Sequence, residues 1–89
     1  MKSTIQTIIQ SKIPKKSVFD AHTIINYLIQ YHNDIYLSSY KNDWTTAFYH
    51  SEISKTIASF EDSIIERTGE CWSRNITNKF SKNKCWKKL

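Results

Sequence analysis

A chain of 89 residues forms one domain at most, with room for a single modest core. Its 39% hydrophobic and 13% aromatic content excludes a disordered chain, and one Gly with one Pro is a poor supply of turn-formers for an antiparallel β-protein. The formal charge of +5 points to an anionic partner, and no apolar run approaches the roughly 20 residues of a membrane-spanning helix.

The charge is segregated. Residues 1–19 carry +4, residues 20–70 carry −5 and hold all eight acids, and residues 71–89 carry +6. Two basic ends around an acidic middle suggest a polyanion partner, against the plainer view that runs of charge are solvated faces. The N-terminus lacks the continuous apolar stretch of a secretory signal, which predicts a cytoplasmic protein. Cys71 and Cys85 are then expected to be reduced thiols. Two distant Cys and the scattered His22, His32 and His50 do not make a zinc set, so neither metal nor cofactor is expected.

In chain order, Ile5, Ile8 and Ile9 have helical spacing, with Ser3 or Thr4 as cap, and Ile13-Pro14 ends that pattern. Asp20 is placed to cap a second helix, with Phe19 as a staple at its start and an apolar stripe of Ala21, Ile24, Ile25, Leu28 and Ile29. Asn33-Asp34 is a stop signal. Residues 35–40 read as either helix or a Tyr-rich strand. From Thr45 or Ser51 a helical period returns through Ile53, Ile57, Phe60 and Ile64, as one long helix or two broken near Ser59–Asp62, ending at Thr68-Gly69.

The closing stretch, CWSRNITNKFSKNKCWKKL, carries the functional signal. On a helix, Trp72, Ile76 and Phe80 fall on one side, and Arg74, Asn75, Asn78, Lys79 and Lys82 on the other. These are side chains suited to base edges and phosphates. Lys84, Lys87 and Lys88 add phosphate contacts in a basic wing or tail. Trp72 is expected in the core, while Trp86, between Lys84 and Lys87, is open to stacking on an unpaired base. Trp72–Lys82 would be a recognition helix, with His50–Ile57 as the supporting helix. The simple helix-turn-helix register with Gly69 in the turn fails, because Ile65 and Glu70 depart from the expected small and apolar residues; a longer turn would be needed.

The fold expected from these readings is mainly α. It is a small helical bundle of helix-turn-helix or winged-helix type, with a short β-hairpin near the C-terminus as an option. Residues 1–89 form one domain, with a basic N-terminal helix and linker (1–19), a helical core (20–70), and a basic C-terminal helix and tail (71–89). The expected function is double-stranded DNA binding, as a transcriptional regulator or mobile-element accessory, with a homodimer as an option because such proteins often read two half-sites. The alternative is a non-catalytic interaction module (an inhibitor, antitoxin or adaptor) docking an acidic protein through a patch such as Tyr36, Tyr40, Trp44 and Tyr49. Single-stranded nucleic acid is a third partner, and membrane binding is not expected. Catalysis is not expected either. Glu61-Asp62 are adjacent and diverge on a helix, His50 and Glu52 have no nucleophile beside them, and there is no Gly-rich loop.

Overall fold

The computed structural model describes all residues from Met1 to Leu89. The elements run α1 (Lys2–Lys12), β1 (Val18–Asp20), α2 (Ala21–Tyr31), α3 (Asn33–Ser38), α4 (Thr46–Ala58), β2 (Ile65–Arg74) and β3 (Phe80–Lys88). The three strands form one antiparallel sheet in the order β1-β3-β2.

The helical half follows the apolar periods. Ile5, Ile8 and Ile9 of α1 are buried, and Ile13 turns extended ahead of Pro14. Asp20 caps α2, accepting from the Thr23 N–H at 2.9 Å, and Ala21, Ile24, Ile25 and Leu28 face the core. The ambiguous stretch after Asn33 is the short helix α3. Thr45 caps α4 by accepting from the Phe48 N–H at 3.1 Å, and Tyr49, Ile53 and Ile57 are its buried face. The chain leaves this helix at Ser59 and reverses through Asp62, whose φ is +68°.

The expectation of a mainly α chain is overturned, because the protein is 46% helix and 26% strand. The expected C-terminal helix is absent. Residues 65–88 are instead two long strands, far more than a short hairpin. Trp72–Lys82 spans the end of β2, a turn and the start of β3. The turn is chemically specified: the Asn78 N–H donates to Asn75 O at 2.9 Å, and Asn78 takes φ +64°. The Asn75 side chain accepts from the Thr77 and Lys79 backbone N–H groups, an alternative that outcompetes helix in this stretch.

The core joins the helices to the base of the sheet. Trp86 is fully buried beside Phe19, and Ile65 closes the same layer from β2. Tyr36, Tyr40, Trp44 and Tyr49 stack on one another, with Tyr40 and Tyr49 ring centres 4.4 Å apart. Tyr36 and Tyr49 are buried, and burial with the neighbouring Tyr36 pushes the Tyr49 hydroxyl up to about 12. Of the patch expected to receive a protein partner, Tyr36 and Tyr49 are core, and Tyr40 and Trp44 are half-buried against it. No helix is long and apolar enough to cross a membrane.

Candidate nucleic-acid interface

Along β3, Phe80, Lys82, Lys84, Trp86 and Lys88 share one face of the sheet by the two-residue period of a strand. At its base this face enters the core through Trp86; its outer half projects free. The register places Trp72 opposite Lys82 and Arg74 opposite Phe80 on that same outer half. Trp72 is 67% exposed and Phe80 63%, and the Arg74 guanidinium lies over the Phe80 ring, 5.1 Å from its centre. The turn adds Lys79, exposed, and Asn78, whose side chain accepts from Arg74 Nη1 at 2.6 Å.

The opposite face of the hairpin is locked to α2. The His22 N–H donates to Asn83 Oδ1 at 3.1 Å, and the Asn83 amide donates to Cys71 O. His22 Nδ1 lies 2.7 Å from Ser73 Oγ. Burial alone would raise the Asp20 carboxyl, but hydrogen bonds from Ser73 and Thr23 outweigh it and hold Asp20 below the usual carboxylate range. Cys71 and Cys85 form a disulfide on this face, against the expectation of free thiols. The β-ladder brings them together, since Gly69 pairs with Cys85 and Cys71 with Asn83.

Between the hairpin and α4 runs an open cleft of about 350 Å³, lined by His22, His50, Ser51, Ser54 and Lys55 on the helical side and by Lys82 and Lys84 on the hairpin. Glu70 is the one acid along it. It stands 3.9 Å from Lys82, and both side chains are more than half exposed, so the pair is weak. Burial and the nearby His22 push the His50 imidazole below its ordinary value, and His50 Nε2 sits 2.8 Å from the Tyr36 hydroxyl.

The residues expected to contact nucleic acid separate into three groups. Arg74, Asn78, Lys79 and Lys82 are exposed together on the outer hairpin, with Lys84 half-buried beside the cleft. Asn75 shapes the turn. Lys87 lies on the other face of the sheet, opposite Glu66 and Val18. Lys88 is buried and donates to Gln10 O at 2.6 Å and Ile13 O at 2.7 Å, so it closes the end of α1 and is not a phosphate contact. The two tryptophans exchange their expected places. Trp86 is core, donating its indole N–H to Glu61 Oε2 at 2.7 Å, and is closed to stacking, while Trp72 is exposed. The supposed supporting helix, His50–Ile57, belongs to α4, the helix beside the cleft. Ser51, Ser54 and Lys55 were not among the expected contacts; the empty polar side of the Ile53–Ile57 stripe was the signal for them.

Comparison with known proteins brings no match. No family model fits the sequence, and no curated protein or solved structure is significantly similar to it.

Proposed function

We propose that the chain is a small DNA-binding protein, with α4 and the β2–β3 hairpin gripping a duplex together as a helix with a β wing. The observation that carries this is the outer hairpin, where Arg74, Lys79 and Lys82 project, with Lys84 half-buried beside the cleft and Glu70 the one acid that lines it. Beside them, α4 offers Ser51, Ser54 and Lys55, polar side chains on an element of a width the major groove admits. The basic groups would release counterions from the phosphate backbone, and the hydroxyls would meet base edges. A transcriptional regulator or mobile-element accessory needs such a surface. A cytoplasmic location belongs to the same proposal. The Cys71–Cys85 bond weighs against it, because reducing compartments keep thiols free.

Fluorescence anisotropy of a labelled duplex tests the reading, with the wild type and an Arg74→Ala/Lys79→Ala/Lys82→Ala variant. Four phosphate contacts give a salt slope near −3.6, so affinity should fall about a hundredfold from 50 to 200 mM salt. The variant, altered only at exposed positions, should lose most of the binding while keeping its circular dichroism. No binding at low salt would overturn the proposal.

A further inference from the structure

Trp72, Lys82, Arg74 and Phe80 make two cross-strand pairs in which an aromatic ring faces a cation, and the order is reversed between the pairs. The result is a two-by-two chequerboard, with the rings on one diagonal and the charges on the other. Directly opposed side chains on a sheet are about 5 Å apart and diagonal ones about 7–8 Å, so the two rings are separated by about one extended nucleotide step. Neither ring contributes to the core, and both are more than 60% exposed.

Duplex binding gives no use to two exposed rings at this spacing, because paired bases present edges, not faces. Unpaired bases do present faces. A sheet carrying exposed aromatics interleaved with cations is the chemistry that holds a single strand: rings stack on bases while the charges meet the phosphates between them. Lys82, set between the two rings, argues against the buried core of a protein interface, which is depleted of Lys. We infer that the outer hairpin face is a stacking platform for two successive unpaired bases. The preferred ligand of this protein is thus a DNA duplex continued by a single-stranded extension, with the duplex against α4 and the extension across Trp72 and Phe80. This inference rests on the DNA-binding reading above and narrows it to one structural class of DNA.

The test compares three labelled probes: a blunt duplex, the same duplex with a ten-nucleotide single-stranded tail, and the tail strand alone. Each is titrated with wild type, Trp72→Ala/Phe80→Ala and Trp72→Phe. Stacking is worth about 1–3 kcal/mol per base, so the tailed duplex should bind at least about tenfold more tightly than the blunt one. The double alanine variant should remove that preference and weaken blunt-duplex binding far less, by no more than the loss of the Phe80 ring beneath the Arg74 guanidinium. Trp72→Phe should keep the preference while losing the quenching of tryptophan emission that wild type shows with the tailed probe, since Trp72 is the only exposed Trp; Trp44 is half-buried and Trp86 buried. Equal affinity for blunt and tailed duplexes overturns this inference alone, as does an alanine variant that weakens both probes alike. Binding to the bare strand only, lost in the double variant, supports the platform and overturns the duplex reading. No binding to any probe overturns both.

Discussion

Lys88 separates a structural lysine from a binding one. Its ammonium group is buried and donates to the carbonyls of Gln10 and Ile13, where α1 ends and its last acceptors have no helical partner. Lys88→Met keeps most of the stem and removes both bonds. Hydrogen bonds to a charged group are worth about 1.5–3 kcal/mol each, but part of the loss is recovered as water reaches the freed carbonyls, so a net cost of about 2–3 kcal/mol is expected. In a domain of this size that lowers Tm by about 10–20 °C. The control is Lys87→Met, one residue earlier on the same strand, half-buried on the other face and bonded to neither carbonyl. Its cost should stay within about 0.5 kcal/mol, as for other surface changes. Urea unfolding followed by circular dichroism measures both, and anisotropy below the unfolding range measures DNA affinity. Lys88→Met should lower the urea midpoint and leave affinity unchanged. A variant as stable as wild type, or one that keeps its stability but loses binding, would refute the assignment.

The fold disfavours a charged His50, because burial and the nearby His22 lower its imidazole below the ordinary value. The unfolded chain therefore takes up the proton more readily, and stability present above pH 6.5 is lost as pH falls through the folded value; urea midpoints at pH 8 and pH 5 should differ less in His50→Gln than in wild type. Glu61 accepts the Trp86 indole N–H, and that bond, opposed by burial and aided by Arg67, lowers its carboxyl. Glu61→Ala strands a buried donor at a cost of about 1–3 kcal/mol, read from the urea midpoint, while Glu61→Gln, which can still accept, should cost less. Glu70→Gln removes the acid nearest Lys82, and with a phosphate about 6 Å away in water-like dielectric the lost repulsion should tighten duplex binding about threefold in the anisotropy titration.

The helical half of the fold was legible because its signals were local and mutually consistent. The Asp20 cap, the Ile24–Leu28 stripe and the Pro14 stop each needed only neighbours in sequence. The hairpin shares its apolar period with a helix. Trp72, Ile76 and Phe80 recur every four residues, and four is close to one helical turn yet also a multiple of the strand period. Apolar spacing alone could not separate the two. The Asn75–Asn78 turn could have, since two Asn bracketing Ile76-Thr77 is turn chemistry. A helix over this stretch would bury Trp72 and leave Trp86 outside; the strands reverse both. The basic character of residues 71–89 holds for helix and strand alike, as charge per segment does not depend on conformation. The pairing of Cys71 with Cys85 was invisible, because it depends on strand register, which sequence spacing does not fix.

That register turns on one residue. From Ile65 to Arg67 the strand keeps its odd-numbered side chains on the Trp86 face, but between Arg67 and Gly69 the pairing shifts by one, around the extra residue Thr68. Gly69 follows with φ +128°, a backbone that an L side chain rarely adopts. A one-residue shift exchanges the two faces of everything beyond it. Without it, Trp72 and Arg74 would point toward α2, where His22 and Asn83 now make their bonds, and Cys71 would point away from Cys85. With it, Ser73 fastens the hairpin to α2 through His22, Cys71 joins Cys85 across the two strands of the hairpin, and the two large residues are freed onto the side of the α4 cleft. The bulge thus anchors one face of the hairpin and exposes the other, and a single Gly in the whole chain is spent at the position where that choice is made.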